Sequence, residues 1–261
     1  MTFQAKARFS SMLEDIQVGP SYIEWKGKKL TEDALTWQPP VTGTVYGTLL
    51  NFTEQVEALQ SQFNKDPYKK PPIRPIMYIK PKNTFNAHLK EVAIPEEINE
   101  VEINATLGII IGKTATNVKE EEAYHFVEGY TIVNDVSIPH DSYYRPAIKQ
   151  KARDGFCPIG PWLVGKEHVV DPDNLLIRTF KNDELIQVNH TKELVRSIPR
   201  LIQDVTEFMT LYKGDVLLVG VPYNPPKAIV GDTIRIEIDQ IGSLENQFVM
   251  ENVQVAKGEH R

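Results

Sequence analysis

The amino-acid sequence predicts a mainly β fold with some α-helix, and three observations carry that prediction. Short runs rich in β-branched and aromatic residues recur along the chain, as strands do. One run alternates Ile234, Ile236 and Ile238 with Arg235, Glu237 and Asp239. That period of two buries one face of a sheet and wets the other. Two segments instead repeat apolar residues at helical spacing.

Taken in order, residues 1–44 are polar and mixed and read as an amino-terminal arm or small subdomain. Within them YIEWKGKKL forms a hairpin turning at Lys26-Gly27-Lys28, and Pro39-Pro40 then breaks the chain. Residues 45–261 read as one further domain. Strands are expected over Thr44–Leu50, Ile76–Lys80, Ala105–Ile111, Tyr130–Asn134, Leu175–Phe180, Val216–Val219 and Thr233–Ile241. Asn51 is expected to cap a helix bearing Phe52, Val56 and Leu59, ending before Asp66-Pro67. Ser197 is expected to cap a second helix whose stripe is Ile198, Leu201, Ile202, Val205, Phe208 and Met209. Pro199 is tolerated in its first turn, and Gly214 ends it. The segment KDPYKKPPIRP reads as an extended connection.

Composition narrows the partners. The chain has 261 residues, 29 basic against 35 acidic, for a net charge of −6. No long basic stripe offsets that balance, which argues against nucleic acid or an anionic membrane as partner. Its longest apolar run, Leu107 to Ile111 with Gly108 inside, falls far short of the ~20 residues that span a bilayer. The single cysteine, Cys157, cannot form an internal disulfide, and MTFQAKARFSSMLEDI lacks the apolar run of a secretory signal, so a reducing cytoplasm is expected. GIIIGK lacks the nested glycines and hydroxyl of a phosphate loop, so no nucleotide cofactor is expected.

Three segments are dense in functional residue types: Tyr78-Ile79-Lys80-Pro81, Gly129 through Ser137, and Lys149 through Pro161. Each alone has a plainer reading, namely a snorkelling lysine, an Asx turn and a solvated charged loop. His125 and His140 have no partner at a metal-ligand spacing, and Cys157 between Phe156 and Pro158 reads as a buried, inert thiol.

Together, YIKP, GYTIVNDVS, KARDGFCPIGP, Gly214-Asp215 through Gly220-Val221-Pro222, Gly231-Asp232 and Ile241-Gly242 through Asn246 resemble, in order and spacing, the fumarylacetoacetate hydrolase family. The resemblance runs from about Thr44 to Val253. Within the family, GKTATNVKEEEA and YYRPAIKQKARDGFCPIG are most similar to the branch that degrades homoprotocatechuate, and there to the amino-terminal half of its fused members. The resemblance implies a mixed β-sandwich roll and a small-molecule oxo-dicarboxylate or tricarboxylate substrate. It also implies decarboxylation of 5-oxopent-3-ene-1,2,5-tricarboxylate, isomerisation of 2-hydroxyhepta-2,4-diene-1,7-dioate, or both. A homo-oligomer, or a hetero-oligomer with a metal-bearing paralogue, goes with it. A catalytically degenerate structural subunit in such a pair is the competing reading.

The same resemblance assigns site residues. Lys151, which faces the reacting carbonyl, Lys80 and Asp135 are the catalytic residues, while Arg145, Ser137 and Arg153 bind substrate; a structural pairing of either arginine with Asp141 or Asp154 is equally open. Family members hold a divalent cation, usually magnesium, on two glutamates and the aspartate that aligns with Asp135. Here Asn104 and Thr106 stand where those glutamates belong, so any cation is expected to be weakly held. Glu100 and Glu102 share a face upstream, but four strand residues displace them by ~13 Å, so they are expected to miss the site. Gln55 replaces a family histidine that positions water, and Val221 replaces a threonine that holds substrate.

Overall fold

The computed structural model describes residues 2–66, 69–140 and 146–251. One large sheet runs in the order β4 (Lys28–Leu30), β3 (Ile23–Trp25), β2 (Leu13–Val18), β1 (Phe3–Arg8), β12 (Cys157–Gly165), β11 (Val127–Asn134), β10 (Ala105–Ile111), β15 (Val216–Leu218), β5 (Val45–Leu49), β6 (Ile76–Lys80). A short strand, β7 (Phe85–Asn86), lies beside β12. A second sheet runs β14 (Glu184–His190), β13 (Leu176–Lys181), β17 (Thr233–Ile238), β18 (Gly242–Met250), β8 (Val92–Ile94). A two-stranded ribbon joins β9 (Val101–Glu102) to β16 (Lys227–Ala228).

The central strand β10 is buried along its whole length. Leu107, Ile109 and Ile111 pack into the main core on one face, and Ile110 meets Val133, Val216 and Leu218 on the other. A strand covered on both faces reads as a continuous apolar run, which is why ATLGIII carries no polar alternation. In β17 the expected alternation holds: Ile234, Ile236 and Ile238 enter the core while Arg235 and Glu237 stay half-exposed. Each such isoleucine contributes roughly 1.5–3 kcal/mol by its burial.

Trp162 of β12 joins the sheets. Its indole N–H donates to the Ile241 carbonyl at 2.7 Å, and its ring lies so close to Gly242 that a Cβ there would come within 2.7 Å. The ring also stands 5.9 Å from Trp37 and 6.0 Å from Phe3, which ties residues 2–44 to the core. β1 pairs antiparallel with β12, so β1 to β4 extend the large sheet. The β3–β4 hairpin turns at Lys26 and Gly27, with φ of 50° and 75°. Two positive φ values are what a two-residue hairpin turn requires.

The helices differ in part from expectation. Helix α1 (Thr53–Phe63) starts after Phe52 and has no side-chain cap. Asn51 is instead fully buried, accepting the Arg196 amide at 3.0 Å and donating to the Val219 carbonyl at 2.7 Å. A buried amide must satisfy both ends, and those two backbone partners take the place of the cap. After the short α2 (Ile148–Lys151), α3 (Ile198–Thr206) begins as expected, with Ser197 accepting from the Arg200 amide. It ends at Thr206, well before Gly214, and Phe208 lies off the stripe, 60% exposed. Among the described residues no helix is long and apolar enough to cross a membrane.

Candidate active site

Asp135 follows β11, where its amide donates to the Asn104 carbonyl at 3.0 Å and the Asn104 side-chain amide returns a bond to the Asp135 carbonyl at 3.0 Å. Its carboxylate is fully buried. Lys80, at the end of β6, stands 2.9 Å from Oδ1, and Lys151, at the end of α2, stands 2.7 Å from Oδ2. The Tyr78 hydroxyl also donates to Oδ2. Burial alone would raise the Asp135 carboxyl, but the ammonium groups of Lys151 and Lys80 outweigh it and hold the acid well below the usual carboxylate range. Burial, then the Asp135 charge, push the Tyr78 phenol well above its ordinary value.

The two lysines differ in role. Lys80 is fully buried and donates to the main-chain carbonyls of Val136 at 3.1 Å and Lys151 at 2.6 Å as well as facing Asp135. Two of its N–H groups are thus given to main-chain oxygens, and its contact with Asp135 is an ion pair. Lys151 reaches an opening: a pocket of about 150 Å³ lined by Lys151, Gln55, Glu102, Asn104, His140 and the loop from Val221 to Pro225. Burial lowers the pKa of the Lys151 ammonium, opposed by Asp135 and, more weakly, by Glu102.

The structure gathers Lys80, Asp135 and Lys151 into one cluster and sets Asn104 beside it. Ser137 is buried, and its hydroxyl donates to the Ile138 carbonyl at 2.9 Å. Thr106 is buried in β10, its hydroxyl in a long contact with the Leu107 carbonyl. Arg153 pairs with Glu97 at 3.5 Å, while Asp154 accepts from Asn83. The Arg145 assignment lies outside the described residues, as do Asp141 and the segment between them. Val221 does line the pocket.

Two expectations are corrected. Glu102 does reach the pocket, because the chain is not one straight strand there: β9 ends at Glu102, pairs with β16, and β10 begins only at Ala105. Ile103 and Asn104 lie outside both strands, so the displacement of one continuous strand does not apply. Glu100 does turn away, to pair with Lys227. His140, read as a lone histidine, also lines the pocket; its wall-mates come from distant segments, so no local signal marked it.

These residues do not fit a divalent cation at Asp135. Ammonium groups occupy both carboxylate oxygens at 2.7 and 2.9 Å, and a dication there would be repelled by each. Among the described residues no three His, Cys, Asp or Glu side chains converge as a ligand set.

The fold and this cluster define an acid–lysine site at the end of a β roll. The chain belongs to the fumarylacetoacetate hydrolase family: residues 44–249 match the family model described as fumarylacetoacetate (FAA) hydrolase C-terminal. It is 41% identical over 218 residues to the 4-hydroxyphenylacetate degradation bifunctional isomerase/decarboxylase of Salmonella dublin, covering 83% of this chain and 49% of that protein. The chain thus spans about half the length of that curated relative. The 5-carboxymethyl-2-hydroxymuconate delta-isomerase of Mycobacterium smegmatis superposes with a TM-score of 0.79 at 25% identity, covering 97% of this chain and all of that one. The maleylpyruvate hydrolase of Sphingobium sp. SYK-6, solved with manganese(II) and pyruvate, shares the fold at 24% identity, with a TM-score of 0.76 over 95% of this chain and 100% of that one.

Proposed function

We propose that this chain is a lyase/isomerase of homoprotocatechuate degradation. It removes CO2 from 5-oxopent-3-ene-1,2,5-tricarboxylate, isomerises 2-hydroxyhepta-2,4-diene-1,7-dioate, or does both. The observation that carries the reading is Lys151, a cation at the wall of a pocket and held by a buried carboxylate. In the decarboxylation the C–CO2 bond breaks and its electron pair runs through the conjugated alkene to the keto oxygen. A fixed ammonium at that oxygen stabilises the enolate as an oxyanion hole does. Lys80 and Tyr78 act through Asp135 as positioning residues, and Ser137 shapes the backbone beside it. Arg145 and Arg153 remain proposed carboxylate binders, Arg153 by leaving Glu97.

A structural subunit paired with a metal-bearing paralogue is the second reading. It is favoured by Asn104 and Thr106 at the family's glutamate positions and by Gln55, whose Oε1 accepts the Leu50 amide at 2.9 Å. Homo- or hetero-oligomerisation belongs to both readings. Turnover of the two substrates by the purified chain, alone and mixed with a metal-bearing paralogue, separates them. Activity in the chain alone supports the enzyme; activity only as enhancement of the paralogue supports the subunit.

A further inference from the structure

We infer that His140 is the proton carrier of this site: a catalytic residue that gives a proton to, and takes one from, the oxygen of the substrate enolate. The inference rests on the enolate chemistry proposed above. Lys151 can stabilise charge on that oxygen, but Gln55, at the family's histidine position, carries an amide that neither gives up nor takes a proton near neutrality, and its Oε1 accepts the Leu50 amide. Imidazole gives and takes a proton readily near neutrality.

The geometry sets His140 to do so. It shares the pocket wall with Lys151, Asn104 and Glu102. Its Nδ1 lies 3.1 Å from the Ile138 carbonyl and 3.4 Å from the Ser137 hydroxyl oxygen. A carbonyl only accepts, so Nδ1 carries hydrogen, and Nε2 on the far side of the ring is the nitrogen that exchanges. The Ser137 hydroxyl gives its own hydrogen to the same carbonyl at 2.9 Å, which leaves its lone pairs toward Nδ1.

The segment bearing His140 is fastened to both neighbouring parts of the site. Ser137 and Glu102 exchange main-chain bonds, Glu102 N–H to the Ser137 carbonyl at 2.7 Å and Ser137 N–H to the Glu102 carbonyl at 3.2 Å. The Ile138 amide donates to the Gln150 carbonyl at 3.1 Å, within the helix that presents Lys151. Imidazole, carboxylate and ammonium are thus mounted on one backbone frame.

In the decarboxylation, CO2 leaves with the proton count unchanged and an enolate remains. The imidazolium of His140 gives its Nε2 proton to the enolate oxygen, forming the enol, and the neutral ring is reprotonated from solvent, so one proton is consumed per CO2 released. In the isomerisation, neutral Nε2 takes the enol proton, the electron pair moves back through the diene to carbon, the carbon takes a proton from solvent and the imidazolium returns its own to solvent, so no net proton is consumed.

The test is His140→Asn, which keeps an N–H to hold the Ile138 carbonyl and removes the exchanging nitrogen, with His140→Gln as a second variant should the first not fold. Steady-state turnover of the oxo-tricarboxylate is measured beside wild type and Lys151→Met, with and without added imidazole. The expected result is a kcat loss of about 10²- to 10³-fold with little change in KM, partly restored by imidazole. If kcat stays within about threefold while Lys151→Met abolishes turnover, the inference is overturned and the lyase reading stands. A KM rise without imidazole rescue makes His140 a binding group and also overturns it. A wild-type chain inert toward both substrates sinks the enolate reading and this inference with it.

Discussion

Replacing Asp135 with asparagine preserves the shape of the site and strands two ammonium groups. The side chains of Lys80 and Asp135 are fully buried and that of Lys151 is 7% exposed, so solvent screens the loss very little. Removing one partner of a buried pair costs about 3–5 kcal/mol. The low end applies here, because Lys80 keeps two carbonyl acceptors and Lys151, whose pKa burial already lowers, can shed its proton. With a urea slope of about 2–3 kcal/mol per molar, Asp135→Asn should lower the unfolding midpoint by roughly 1–1.5 M near pH 7. Tryptophan fluorescence during urea unfolding measures it. The double variant Asp135→Asn, Lys80→Met should lose clearly less than the sum of the single losses, since the groups touch. The acid limb has a definite sign. The folded carboxyl titrates below its unfolded value, so its stabilisation is complete above about pH 4 and is lost as pH falls through the folded pKa. The wild-type and Asp135→Asn stability curves should therefore converge in acid. A midpoint shift under about 0.3 M, or strict additivity in the double variant, would refute the buried-cluster account.

Three other outcomes are expected. Glu102→Gln removes a charge that raises the Lys151 ammonium, so any alkaline limb of the pH–rate profile should move to lower pH; an upward or absent shift contradicts the coupling. Calorimetric titration with magnesium or manganese should show no micromolar site, and micromolar binding abolished by Glu102→Ala would instead place a cation in the pocket. Burial pushes the Cys157 thiol up to about 12, so iodoacetamide should label it in urea and spare it in the folded chain; rapid native labelling would contradict its burial.

Much of the fold was legible because burial imposes a period. The alternation in β17 and the unbroken apolar run of β10 each follow from how many faces are covered. Ser197 could be read as a cap because its partner, Arg200, is three residues away. Asn51 could not, since its partners, Arg196 and Val219, are remote in sequence. The same distinction divides the site. Lys80, Asp135 and Lys151 stood out through motifs, whereas Glu102 was misplaced by extrapolating a straight strand across the break at Ile103 and Asn104. His140 acquires meaning only from a wall built by several separate segments, and Arg153 found Glu97, an acid outside its own loop.

The central claim is that the Lys151 ammonium, held by Asp135, stabilises an enolate in this pocket. The most direct measurement is CO2 release from 5-oxopent-3-ene-1,2,5-tricarboxylate by the purified chain, comparing wild type with Lys151→Met and Lys151→Arg. The account predicts CO2 release by wild type, a loss of about 10²- to 10³-fold in the methionine variant, and partial activity in the arginine variant, which keeps the charge and alters its geometry. No CO2 from the wild-type chain, or a methionine variant as fast as wild type, would contradict it.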